Sequence, residues 1–190
     1  MIFLDSERLL KLTVSGMLIA IGLIIPMFSP IRIILEPASF TLASHVVIFI
    51  AMFISPVMAV AVSLGTTLGF FIGGFPIVIV LRAATHVIFA ALGSYYLFYV
   101  SPGGLSAFKL RVFSFAVAIV HAVGEVVVVS IFFFGGNIHP ASLEQGFLTS
   151  VILLVGLGTI IHSMVDFEIA MLVIVPLKKQ RALKSLIKDY

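Results

Sequence analysis

The sequence predicts an all-α membrane protein: a single bundle of six transmembrane helices with both termini in the cytoplasm. Three observations lead there. Of the 190 residues, 62% are hydrophobic and only 10% charged, with a mean hydropathy of +1.31. A soluble domain cannot bury that much apolar surface. The apolar residues also fall into long runs divided by short polar breaks, whereas a barrel shows short alternating segments. Helices are then the expected spanning form, because a helix satisfies its own backbone within lipid. Finally, the basic residues are partitioned. Six spans place both ends on one side, together with Arg8, Lys11, Lys109, Arg111, Lys178, Lys179, Arg181, Lys184 and Lys188, while Arg32 lies opposite and Arg82 just inside that opposite surface. The positive-inside rule makes the first side cytoplasmic. Residues 1–190 read as one integral domain of the plasma membrane.

The spans follow in order. The first covers about 12–28 and ends at Pro26 and Pro30. It lacks a small-residue cleavage site before a soluble domain, so it reads as a membrane helix and not as a removable signal. Gly16 and Ala20, four apart, share one face and permit close helix approach. Residues 29–37, with Arg32 and Glu36, read as a loop. From Pro37 to Leu81 there is no charged residue. As helix this is roughly 65 Å, twice the hydrocarbon thickness, and so two spans. Ser55-Pro56 is the natural break, giving spans at about 39–54 and 57–72. Gly73-Gly74-Phe75-Pro76 turns into a fourth span, 77–100, which ends in Tyr95, Tyr96 and Tyr99 as an interfacial cluster. The fifth covers about 107–134 and the sixth about 147–175, before the basic tail.

Arg82 stands out within this apolar background. An arginine inside a span costs roughly 2.5–3.5 kcal/mol on insertion scales, so it faces the protein interior or a wet cavity. Arg82/His86, His121/Glu125 and His162/Asp166 are each four residues apart, which puts two ionisable groups on one helix face. These groups can form a solute site anchored by Arg82, or neutralise one another as Arg82 with Glu125 and His162 with Asp166. His121/Glu125 and His162/Asp166 also make an N/O donor set. However, cysteine is absent and so is His-Glu-x-x-His, and no metal or cofactor is expected. There is neither a Gly-x-Ser-x-Gly elbow nor a phosphate-binding glycine loop, so the chain is not read as an enzyme or an ATPase. No nucleic-acid patch is present.

Two stretches, Glu36-Pro37-Ala38-Ser39-Phe40 through Ile54-Ser55-Pro56 and Gly74-Phe75-Pro76 through Arg82-Ala83, resemble the niacin-specific branch of the S components of energy-coupling factor (ECF) vitamin transporters. The likeness covers most of residues 12–175. The resemblance implies a vitamin-binding protein of the bilayer that captures its ligand at the outer face. It also implies docking on a transmembrane T component carrying two ATPases, with Gly16 and Ala20 matching the docking pattern while Leu12 and Ile24 occupy its flanking repeats. Niacin is a pyridine carboxylate. Arginine's planar fork suits its carboxylate, and His45 or His86 can meet the ring nitrogen. Phe75, Tyr95 or Phe40 can supply a ring face. Glu125 can hold a histidine such as His121 in one tautomer, or neutralise Arg82 in the empty state. The alternatives are an S component for pyridoxine or a hydroxymethylpyrimidine, a stand-alone proton-coupled carrier using His162 and Asp166, and an intramembrane metalloenzyme.

Overall fold

The computed structural model describes residues 6–35 and 37–188; Glu36 and the side chains of Ser6, Arg32, Ile34 and Ala182 lie outside the described residues. Eight helices and one hairpin follow in chain order: α1 (Ser6–Phe28), β1 (Arg32–Leu35), β2 (Ala38–Thr41), α2 (Val46–Met52), α3 (Pro56–Ile72), α4 (Ile77–Tyr95), α5 (Ala107–Phe134), α6 (Pro140–Glu144), α7 (Gly158–Leu177) and α8 (Arg181–Lys184). α4 continues through a wide π-helical turn at Tyr96–Val100, and a longer π-helical stretch, Leu148–Leu157, runs into α7. Four continuous helices, Glu7–Phe28, Ile77–Val100, Ala107–Phe134 and Leu148–Leu177, are long and apolar enough to cross a membrane, and α3 is a shorter apolar helix. The molecule is a multi-span helical bundle.

Two expectations need correction. Residues 29–37 are not simply a loop: β1 pairs antiparallel with β2, Ile33 opposite Phe40 and Leu35 opposite Ala38. The β-branched Ile33 favours this pleated arrangement, and the proline at 37 suits its turn. Nor is 39–54 one helix. It comprises β2, a turn, and the seven residues of α2, about 10 Å of helix. Ala43 sits in the turn with φ 67°, a left-handed conformation that a helix excludes and a residue with a Cβ rarely adopts. α2 is apolar on all sides and buried on all sides, as a helix without a polar face must be. Ser55 then caps α3, its Oγ accepting from Met58 N at 3.1 Å, and Pro56 occupies the first helical turn, where its missing N–H costs nothing.

α2 is wrapped by α1, α3, α4 and α7 in a core that includes Phe49, Phe53, Phe89, Phe167 and Ile174. Small residues bring the helices together. A Cβ on Gly69 of α3 would lie 3.0 Å from the Leu23 backbone of α1, and one on Gly124 of α5 would lie 3.0 Å from Thr85 of α4. Two ends can be distinguished. At one, Lys188 N donates to Phe53 O at 2.8 Å and Lys188 Nζ to Pro102 O at 3.0 Å, so the end of α2, the α4–α5 connection and the C-terminal tail meet. At the other, Ala38 and Phe40 of β2 pack with Val78 of α4, Val129 and Phe133 of α5, and Phe147.

Candidate functional site

The hairpin closes over a polar pocket near this second end. Its wall includes Ser39, Phe40, Ser44, His45, Phe70, Phe75, Arg82, His86, Glu125 and His162. Glycine seats the hairpin: a Cβ at Gly158 would fall 2.5 Å from the tip of the Phe40 ring, and that ring stands 5.4 Å from His162. The close approach at Gly124 likewise brings α4 near enough to α5 for their charged residues to meet.

Arg82 is 3% exposed. Its Nη2 donates to Glu125 Oε2 at 2.8 Å and its Nη1 to Pro37 O at the hairpin turn at 3.1 Å, while its Nε has no partner. Thr159 Oγ1 donates to the same Glu125 oxygen at 2.6 Å. The other oxygen, Oε1, lies 3.4 Å from His121 Nε2 and 3.5 Å from His86 Nε2, and neither imidazole nitrogen makes a formed hydrogen bond. Of the two open readings of Arg82, the pairing with Glu125 is thus realised in the structure, and it is realised inside the pocket.

A second buried carboxylate lies behind. Asp166 Oδ1 accepts from Ala43 N at 2.8 Å, and Oδ2 accepts from His45 N at 3.0 Å and lies 3.0 Å from His45 Nδ1. His162 Nε2 is 3.5 Å from the same oxygen. The His45 ring stands 4.6 Å from both His86 and His121, which are 4.7 Å apart, and 5.0 Å from His162. Four histidines from α2's cap, α4, α5 and α7 therefore form one cluster.

The structure brings Arg82, His86, His45, Glu125 and Phe75 to one pocket wall, with His121 buried directly behind His45 and His86. Tyr95 is elsewhere, exposed and paired with Tyr99 at 5.0 Å. Gly16 and Ala20 lie on the exposed side of α1, and nothing stands within 4 Å of a Cβ built on Gly16. Sequence reasoning did not assign Ser44, Thr159 and Asp166 to the site. The i,i+4 spacing to His162 pointed to Asp166, whereas Ser44 and Thr159 carried no signal among many apolar-flanked hydroxyls.

Among known proteins, the chain is similar to the niacin transporter NiaX of Lactococcus lactis subsp. cremoris (strain MG1363). The two are 42% identical over 166 residues, which cover 87% of this chain and 73% of that protein. No family model and no solved structure matches it. With its long apolar helices, this makes the chain a multi-pass plasma-membrane transport protein and not an enzyme. It belongs to the NiaX family, the branch of ECF S components that its sequence resembles.

Proposed function

We propose that this chain captures niacin as nicotinate at the outer face and delivers it to an ECF T component with two ATPases. The observation that carries the ligand assignment is Arg82: a buried guanidinium in a pocket wall, with an unpartnered Nε. A guanidinium pairs with a planar carboxylate in a fork, an arrangement a neutral heterocycle cannot use. The similar protein is named a niacin transporter, which agrees. The centre of a water molecule can move through only about 30 Å³ of the pocket, room for a water or two. Entry of a pyridine ring therefore requires Glu125 to yield Arg82 and the hairpin or Phe75 to shift.

Six crossings with cytoplasmic termini are the topology that fits best. Besides the four long helices and α3, the segment 38–54 supplies the sixth as strand, turn and helix. Irregular backbone is tolerated at membrane depth when protein surrounds it, and α2 is wholly buried. The meeting of α2's end with the α4–α5 connection and the C-terminal tail supports this alternation.

Calorimetric titration of the purified protein tests the ligand. Nicotinate should bind at least about tenfold tighter than nicotinamide, a difference of about 1.4 kcal/mol; equal affinities, or no nicotinate binding, would remove the assignment. For docking, Gly16→Leu projects into open space and should leave fold and nicotinate binding intact. It should abolish uptake in cells expressing the T component and ATPases, because it blocks close helix approach. Undiminished uptake would move docking to another face.

A further inference from the structure

One guanidinium cannot balance this site once a carboxylate ligand enters. Among the described residues around the pocket, Arg82 pairs with Glu125, and a second buried carboxylate, Asp166, lies behind His45; with the histidines neutral these sum to a single negative charge. A bound monoanion adds another, and uncompensated charge away from water is strongly disfavoured. The structure also holds imidazole nitrogens that make no formed hydrogen bond. One nitrogen each from His45, His86 and His121 lies within 4.8 Å of the other two. These histidines come from three different elements and are 6%, 4% and 1% exposed. His86 Nε2 and both ring nitrogens of His121 lack formed hydrogen bonds, the two Nε2 atoms lying 3.5 and 3.4 Å from Glu125 Oε1. His45 is different: its Nδ1 faces Asp166 Oδ2 at 3.0 Å. Donation to that carboxylate fixes the tautomer that frees Nε2, the orientation metal-bound histidines usually receive from a carboxylate.

We propose that His45, His86 and His121 bind a divalent transition-metal cation of the zinc class, leaving a fourth position open for the pyridine nitrogen of the ligand. The metal site stands on the histidine geometry alone; only the identity of the fourth ligand rests on the niacin reading. Three imidazoles plus one open position is a common zinc arrangement, with Zn–N near 2.0–2.1 Å. Nitrogens around such an ion are about 3.4 Å apart, so the triad closes by at most roughly 1.4 Å. The His121 ring gives up no formed hydrogen bond in shifting for this. A divalent ion brings the site to one net positive charge, and nicotinate then makes it neutral. Arg82 takes the carboxylate and the metal takes the ring nitrogen, so both ends of the ligand are recognised. This departs from the sequence expectation of no metal, which rested on the missing His-Glu-x-x-His and the absence of cysteine. The three ligands are instead assembled from distant positions.

The test uses purified full-length protein stripped with chelator and then titrated with Co²⁺ or Zn²⁺ alone. One equivalent of Co²⁺ should bind with a visible d–d band, and Zn²⁺ should displace it and raise the melting temperature. His121→Gln should lose the band and the thermal response, whereas His139→Gln, in an exposed loop, should keep both. Nicotinate should perturb the Co²⁺ band and bind Zn²⁺-loaded protein at least tenfold tighter than stripped protein. Absence of the band, its persistence in His121→Gln, or its loss in His139→Gln would overturn the metal site. Should His121→Gln fail to purify folded, the wild-type melting shift and the nicotinate comparison still decide. Equal nicotinate affinity with and without metal would overturn the coupling while sparing the niacin reading. A Co²⁺ band with no nicotinate binding in either form would sink the niacin reading and leave the metal site standing.

Discussion

Two buried carboxylates in this bundle, Asp166 and Glu125, have similar histidine neighbours and opposite degrees of commitment. Asp166 is fully engaged by donors: Ala43 N, His45 N and the His45 ring all lie at 2.8–3.0 Å, spread over both oxygens. These bonds hold the turn in which Ala43 keeps a positive φ, and so they fix where His45 stands. Glu125 concentrates its bonds on one oxygen, shared by Arg82 and Thr159. Its other oxygen has only imidazoles at 3.4–3.5 Å without formed hydrogen bonds. Asp166 is therefore a structural clamp, and Glu125 a group poised to let go. Both came from the same kind of sequence signal, a carboxylate four residues after a histidine. What separates them is how many backbone donors the fold delivers.

The largest expected effect follows from the clamp. Asp166→Ala leaves two backbone N–H groups without their acceptor, at about 1–3 kcal/mol each, and leaves the His45 ring with Ser44 Oγ at 3.3 Å in place of a carboxylate. It also releases the strained turn. The melting temperature should collapse, or the protein should fail to purify as a monodisperse species. Asp166→Asn, which retains one carbonyl acceptor, should be milder. A well-folded Asp166→Ala protein with wild-type melting would erase the distinction between the two carboxylates.

The next effect tests the poised side. Arg82→Gln removes charge-assisted bonds worth roughly 1.5–3 kcal/mol to the ligand, and nicotinate affinity should fall about ten- to a hundredfold. It also strands Glu125, so part of any loss could come from folding. The double variant Arg82→Gln/Glu125→Gln separates the two: it should recover wild-type melting but not nicotinate binding. Recovery of both, read by calorimetry, would take Arg82 out of the ligand site.

How far the sequence reaches can be read from the same residues. Hydropathy and the long uncharged run from Pro37 to Leu81 announced a helical membrane protein, because the cost of polar groups in lipid is written into composition. Arg82, His86 and Glu125 were legible for that reason too. The hairpin was not: Arg32–Leu35 and Ala38–Thr41 are only four residues each, one beside a charged loop and the other running into an apolar stretch, and periodicity cannot separate so short a strand from a loop or a helix segment. Nor was the convergence of His45, His86, His121 and His162, because it depends on the turn at Ala43 and on close contacts at Gly124 and Gly158. Those contacts are tertiary, and sequence spacing carries no trace of them.

The smallest expected effect is also the sharpest. Glu125→Gln keeps the shape of the side chain and an oxygen that Thr159 or Arg82 can still use. It removes the negative charge that now occupies Arg82. A neutral acceptor holds a guanidinium less firmly than a carboxylate does, by about 1 kcal/mol. An entering carboxylate therefore meets a weaker competitor and no like charge, and nicotinate should bind about fivefold tighter. The empty variant should melt lower than wild type, since Arg82 is left with only partial compensation, and nicotinate should raise its melting temperature by more than it raises that of the wild type. These two shifts have opposite signs, so no general loss of folding produces both. If Glu125→Gln instead weakens nicotinate as strongly as Arg82→Gln does, Glu125 holds the ligand or aligns Arg82 for it. The contrast with Asp166 would then be one of bond count and not of role.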